Sequence, residues 1–302
     1  MFAECNSARS SRNAMTLESF PPEYLMRRVG SPSPIDFKAK GQHLLDILIQ
    51  VGRLRPTDRV LDVGCGCGRV ALPLSSYLTT GSYEGVDIDR DAMEWCKRNI
   101  TQRRPTFNFE LLVDVHNSAY NSQGRRQASD YAFPYPDESF DFTVLTSVFT
   151  HMLPRDVEHY AREIARTLKP EGRAMITFFI LNQESEQLIT TSASRFSFAH
   201  WHSDGQVRVE HSTDPEAAVA YPEPRVRCVL QQAGLTIIEP IYWGSWCGRK
   251  NTVTVQDLTL SVKGQPAILQ SDLHNLWNPW SWRLFRPLRN LARKRKRPRE
   301  GN

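Results

Sequence analysis

The chain has 302 residues, 40% hydrophobic and 24% charged, with a formal net charge of +5. These totals exclude a disordered, fibrous or disulfide-framework protein and leave room for one large α/β domain with additions. No apolar run approaches the roughly 20 residues of a membrane-spanning helix. The opening "MFAECNSARSSRNAM" lacks the apolar segment of a secretory signal, so a reducing cytosol is the expected compartment for the six cysteines. Charge is unevenly spread: the last twenty residues, "RLFRPLRNLARKRKRPREGN", hold nine Lys or Arg and one Glu, a local +8 that leaves everything before them at −3.

Residues 1–35, punctuated by "PP" and "SPSP", read as a flexible lead-in. "DFKAKGQHLLDILIQVG" follows, with Leu44, Leu45, Leu48 and Val51 close to a 3.6-residue period, and predicts a helix. "RVLDVG" predicts a buried strand, "GRVALPLSSYL" a helix with Pro73 in its first turns, and "YEGVDI" a second strand. "DRDAMEWCKRNI" is a helix with acidic residues at its start, where the helix dipole favours them. "FNFELLVDV" is a third strand and, past a polar stretch, "SFDFTVLTSV" a fourth. "RDVEHYAREIARTL" predicts an amphipathic helix closed by "KPEG", and "RAMITFFIL" a fifth strand. Residues 182–223 show no clean period. "RVRCVLQQAG" predicts a short helix, and "LTIIEPIY" and "TVTVQDLTLSV" the last two strands. Strands alternating with helices imply an α/β fold, a mostly parallel sheet with helices on both faces. The last two strands lack an intervening helix and predict an antiparallel hairpin at the sheet edge.

The loop "GCGCG" between the first strand and first helix bares backbone at the carboxyl edge of the sheet, where such folds bind ligands. Three chemistries compete for it. Cys65 and Cys67 have neither the spacing nor the second ligand pair of a zinc site, and read as small apolar fillers. "GCGRVA" satisfies the dinucleotide pattern G-x-G-x-x-G/A, but Asp62 stands two residues before the first glycine and would repel a pyrophosphate. A positively charged cofactor without phosphate, such as S-adenosylmethionine (SAM), suits that carboxylate.

"VLDVGCGCGR" resembles the first motif of class I SAM-dependent methyltransferases, and residues 57–180 follow the same pattern. "YEGVDIDRDAMEWC" resembles their second motif, and "FPYPDESFDFTVLTSVFTHM" and "YAREIARTLKPEGRAMITFF" resemble the segments around their fourth and fifth strands. "YWGSWCGRKNTVTVQDLTL" is similar, more loosely, to the close of a bacterial subgroup that includes glycan-modifying enzymes. The resemblance implies a Rossmann-like seven-stranded sheet with an antiparallel C-terminal hairpin strand, and SAM as cofactor. It places Asp62 and the Gly64, Gly66 and Gly68 loop against the methionine moiety. Asp87 would accept the ribose hydroxyls, Ile88 would pack on the adenine, and Asp114 would face the adenine amino group. Ser147 and Val148 would line the cofactor near its transferable methyl. An unusually long insertion, "HNSAYNSQGRRQASDYAF", follows Asp114.

His151, in "VFTHM" past the fourth strand, is the candidate general base for a hydroxyl acceptor, because its intrinsic pKa lies near neutrality. His116 and Tyr120 are secondary candidates. His200, His202 and His211 lack a recognisable metal-ligand pattern, so no metal is expected. Residues 36–263 form the expected methyltransferase domain, with 182–223 folding over the acceptor as a lid in which Trp201 and Tyr221 either stack on a sugar or pack. No Asn/Asp-Pro-Pro-Tyr/Phe motif follows the fourth strand, which argues against base amino-group methylation. Residues 264–302 are an aromatic and basic tail. There Trp277, Trp280, Trp282, Leu284, Phe285, Leu288 and Leu291 alternate with arginines, the composition of a segment that lies on an anionic membrane surface. The expected activity is methyl transfer from SAM to a hydroxyl of a sugar, glycan or small metabolite, including a lipid-linked one, in the cytoplasm or at the inner membrane face. The alternative is an RNA- or protein-directed methyltransferase that grips its target with the basic tail.

Overall fold

The computed structural model describes residues 20–191 and 194–264. The aromatic and basic tail, Trp277 to Leu291 included, lies outside the described residues, as does the lead-in before residue 20. From residue 20 onward the expected flexible lead-in is instead folded. Helix α1 (Glu23–Arg28) buries Leu25 and Met26, and helix α2 (Pro34–Gln50) starts from a Ser33 cap whose hydroxyl accepts from the Asp36 N–H. Two apolar residues in a six-residue helix are too few to register as a period.

The central sheet is built from β1 (Arg59–Val63), β2 (Ser82–Asp87), β3 (Phe107–Leu111), β4 (Phe140–Leu145) and β5 (Leu168–Leu181). Helices α3 (Ala71–Tyr77), α4 (Arg90–Cys96) and α5 (Pro154–Thr167) connect them, and a π-turn over Lys97–Thr101 extends α4. Strand α/β alternation gives parallel pairing in the order β3-β2-β1-β4-β5. Further along lie α6 (Gln183–Thr190), β6 (His200–His202), β7 (Val207–Val209), β8 (Val219–Pro222), α7 (Glu223–Gln232), β9 (Leu235–Tyr242) and β10 (Asp257–Lys263). β10 inserts antiparallel between β5 and β9 and completes the seven-stranded sheet. The central strands β1 and β4 are buried on both faces, as a sheet covered by helices on both sides requires.

Beyond Phe178 the last residues of β5 exchange β10 for β8, and β8, β7 and β6 continue the sheet as a small antiparallel extension. These strands of three and four residues explain the absence of a readable period over 182–223. A second, smaller core of Phe179, Phe198 and Trp246 packs beneath them.

Asp257 ties this extension to the main sheet. Its buried carboxylate accepts from Ile180 N (2.7 Å), Gly244 N (2.7 Å), Trp246 Nε1 (2.6 Å) and Arg249 (3.2 Å). Burial pushes this carboxyl up to about 6 despite those donors. Asp257→Ala would leave the Ile180 and Gly244 N–H and Trp246 Nε1 without this acceptor and remove one of the partners of the nearly inaccessible Arg249 guanidinium, which keeps Glu184 and Asn182. The expected loss is on the order of 2–4 kcal/mol of unfolding free energy, from buried donors left without an acceptor, measurable as a lowered denaturant midpoint.

Candidate cofactor and transfer site

The carboxyl ends of β1, β2 and β4 open into a cavity of about 780 Å³. After β1 the chain must turn sharply above β2. Gly64 and Cys65 N–H both donate to Val86 O, and Gly66 N–H donates to Asp87 Oδ2 at 2.7 Å. Gly64 and Gly66 have φ of +76° and +53°, in the left-handed region that favours glycine. A Cβ at Gly64 would stand 2.2 Å from Val148 Cγ2, and one at Gly66 2.5 Å from Val29 Cγ1. Gly68 is equally constrained, at φ +80° against Ile100.

The thiols of Cys65, Cys67 and Cys96 pack about this loop, and burial pushes the Cys67 thiol up to about 12. They remain protonated fillers. Among the described residues no cluster of three His, Cys, Asp or Glu is arranged to hold a metal.

Asp62 is 1% exposed and lines the cavity. Tyr83 donates its hydroxyl to Asp62 Oδ2 at 2.6 Å, while Oδ1 has no hydrogen-bond partner in the protein. Burial pushes this carboxyl up to about 7, against the lowering effect of the Tyr83 hydroxyl. On the far side of the glycine loop the Arg69 guanidinium also lines the cavity. It donates to Val29 O, its Nε is buried without an acceptor, and burial lowers its pKa. An orphaned carboxylate oxygen and an orphaned guanidinium N–H lining one cavity fit the ammonium and carboxylate of an α-amino acid, the methionine end of SAM. Asp87 Oδ1 accepts from Asp89 N–H at 2.9 Å, so both its oxygens are oriented by backbone and keep lone pairs for ribose hydroxyls. Ile88 lines the same cavity.

Ser147 (φ +61°) and Val148 line the cavity past β4. Ser147 N–H donates to Thr177 Oγ1 at 2.8 Å, and both hydroxyls donate to Gln256 Oε1, at 3.0 and 2.7 Å. The alternation of "TVTVQ" predicts Gln256 within the last strand, but β10 starts at Asp257, and residues 252–256 form cavity wall.

The role expected of Asp114 needs correction. β3 ends at Leu111, and Asp114, at φ +64°, turns away from the cavity. Its carboxylate and carbonyl oxygens take the Arg125 N–H, and its carbonyl also takes that of Arg126, so it anchors the insertion on itself. From this segment Leu112, Val115, His116, Asn117 and Tyr120 face the cavity instead. Tyr221 packs, donating its hydroxyl to Met152 O, and Trp201 lies outside the cavity with Arg208 over its ring at 4.6 Å.

His151, on a 3₁₀ turn (Phe149–His151), lines the cavity. Its Nδ1 lies 3.0 Å from Glu216 O. A carbonyl only accepts, so Nδ1 carries the proton and the neutral ring holds its lone pair on Nε2. Burial lowers the pKa of the ring below its usual 6.5, so it is neutral at physiological pH. Arg69 has a sequence signal, its place directly after the glycine loop; Gln256 and Glu216 have none, being contributed from distant, unpatterned segments.

The comparisons with known proteins agree with this geometry. Residues 61–176 match the family model described as a methyltransferase domain. The chain is 30% identical over 138 residues to an uncharacterized methyltransferase of Bacillus subtilis, a match covering 46% of this chain and 47% of that protein. It is 32% identical over 119 residues to a fatty-acid O-methyltransferase of Mycolicibacterium smegmatis, covering 39% and 36%. A crystal structure of a protein from Pyrococcus horikoshii shares the fold, with a TM-score of 0.52 at 17% identity over 81% of this chain and 100% of that one. In the two sequence matches the chain spans about half or less of the relative's length. Residues 61–176 therefore carry a methyltransferase domain of the class I, SAM-dependent kind, for which SAM is the implied methyl donor.

Proposed function

We propose that the protein transfers the methyl group of SAM to a hydroxyl of a sugar or related small metabolite, including one on a lipid carrier, with His151 as general base. The observation that carries this reading is the neutral His151 ring, tautomer set by Glu216 O, on the wall of the cavity that holds Asp62 and Asp87. When bound, SAM supplies an activated methyl on its sulfonium. Asp62 and Arg69 hold the amino-acid end, Asp87 orients the ribose, and the Gly64 to Gly68 loop lets backbone approach closely. His151 Nε2 takes the hydroxyl proton as the acceptor oxygen becomes nucleophilic. The remaining contribution is alignment, since an in-line displacement on an activated carbon depends chiefly on proximity.

Leu44, Ile47, Phe179, Phe196 and Val253 give the cavity apolar walls, which suits an acceptor with an apolar body. The relative named as a fatty-acid O-methyltransferase supports an acceptor oxygen. Residues 182–223 serve as the acceptor-side lid, and the tail beyond residue 264 places the enzyme on an anionic membrane surface. No helix among the described residues is long and apolar enough to cross a membrane.

The test is methyl transfer from isotope-labelled SAM into a cell extract, separated into lipid, RNA, protein and small-molecule fractions. Label in lipid, glycolipid or a hydroxylated metabolite is expected. Label confined to RNA or protein would replace this reading with a macromolecular acceptor gripped by the basic tail.

A further inference from the structure

Two segments foreign to the sheet meet at His151. The first is the insertion after β3. Asn117 Oδ1 accepts from Ala119 and Tyr120 N–H, an Asx-type turn that presents Tyr120, while Asn117 Nδ2 donates to His151 O at 3.0 Å. The Tyr120 ring stands edge-on to the imidazole, centroids 5.3 Å apart. The second is the 3₁₀ turn Pro215–Ala217, before β8, which supplies Glu216 O to His151 Nδ1. These two segments are also bonded to each other. Ser118 N–H donates to Glu216 Oε2 at 2.7 Å and Ser118 Oγ to Asp214 Oδ1 at 2.6 Å.

Glu216 thus works at both ends. Its carbonyl accepts a hydrogen bond from the imidazole Nδ1–H, and its carboxylate is held by the insertion whose Tyr120 packs edge-on to the ring. A carbonyl on a surface turn is a poor orienter by itself, because a turn of three residues has no ladder to fix it. The Ser118 bonds supply what the turn lacks.

We propose that Glu216 and Ser118 are positioning residues: the carboxylate-to-N–H bond between them locks two separate insertions around His151 and thereby holds its ring in the Nδ1–H tautomer, with Nε2 presented as base. In this arrangement a backbone carbonyl takes the place that a carboxylate holds behind many catalytic histidines. The side chain of Glu216 does not touch the imidazole; it acts through the turn. The inference rests on the reading of His151 as base, and its structural half can be tested without any acceptor.

Glu216→Gln and Glu216→Ala remove the same charge, but only Gln retains an oxygen for the Ser118 N–H. The difference between the two variants therefore reads the tether and not the charge. The measurement is the ¹⁵N spectrum of the His151 ring in the full chain, with and without SAM. Glu216→Gln should keep the single Nδ1–H tautomer of the parent protein, while Glu216→Ala should show both tautomers. Indistinguishable Nδ1–H spectra for the two variants would overturn the proposal. Once an acceptor is known, Glu216→Ala should lower kcat with SAM affinity unchanged, and Glu216→Gln should restore it. Should the tautomer respond as expected while His151→Ala turns over normally, the ring is positioned but is not the base. Should the tautomer ignore Glu216 while His151→Ala is inactive, the base stands and the tether falls.

Discussion

Between about pH 7 and pH 5, affinity for SAM should fall about tenfold per pH unit. The cause is Asp62. In the ligand-free protein burial holds its carboxyl up at about 7, so below that value it is mostly neutral and offers no charge to the ammonium. The bound state needs the ionised form, so binding in acid must expel one proton, and the dissociation constant rises in step with proton concentration. Above about pH 8 the α-amino group of the ligand itself titrates, so affinity peaks near neutrality. Asp62→Asn should flatten the acid limb and weaken binding by roughly ten- to a hundredfold, the worth of a charged hydrogen bond. Tyr83→Phe, which removes the 2.6 Å bond that favours the carboxylate, should shift the acid limb to higher pH. Titration calorimetry across this range checks all three, and a flat profile in the parent protein would remove Asp62 from the site.

The same group leaves a mark on stability. Its folded pKa lies above the unfolded value of 3.8, so its contribution is fully present below about pH 4 and is lost as pH rises through 7. The loss is on the order of a few kcal/mol, by linkage. SAM reverses that loss by pairing the charge. The thermal shift produced by saturating SAM should therefore grow between about pH 5 and pH 7.

Replacing His151 with Ala should reduce methyl transfer by about 10²- to 10⁴-fold at unchanged SAM affinity. The imidazole takes a proton from the acceptor and has no role in holding the amino-acid or ribose groups, so kcat carries the loss. With SAM saturating, which removes the Asp62 limb, the parent rate should fall on acidification with a midpoint below the ordinary imidazole value, since burial lowers the ring pKa. The decline marks the pH at which the ring gains a proton. Full turnover by His151→Ala would shift the chemistry to acceptors that need no base.

The gathering of Asp62, the glycine loop and Asp87 at one cavity was legible because it is local. Asp62, the three glycines and Asp87 fall within 26 residues, at the ends of two adjacent parallel strands, where side-chain alternation and the turn dictate position. The boundaries of β9 were equally readable, because an apolar run is closed by Gly234 on one side and aromatic residues followed by Gly244 on the other. Asp114 was misplaced for a related reason. The run "FELLVDV" favours a strand locally, but the strand's partner stops at Asp87, paired to Leu111, so the chain beyond it has no ladder and turns into the insertion.

By itself the sequence determined the α/β alternation, the hairpin close, the glycine loop and the carboxylates at successive strand ends, all set by periodicity and short-range steric rules. Tertiary structure alone decided the folding of residues 20–28 and the short strands of 200–222. It also decided the Gln256 network around Ser147, 109 residues away, and the tautomer of His151 by Glu216, 65 residues on. The physical reason is that a hydrogen bond between distant, unpatterned segments leaves no periodicity in either. Only the packing of the sheet brings its two ends together.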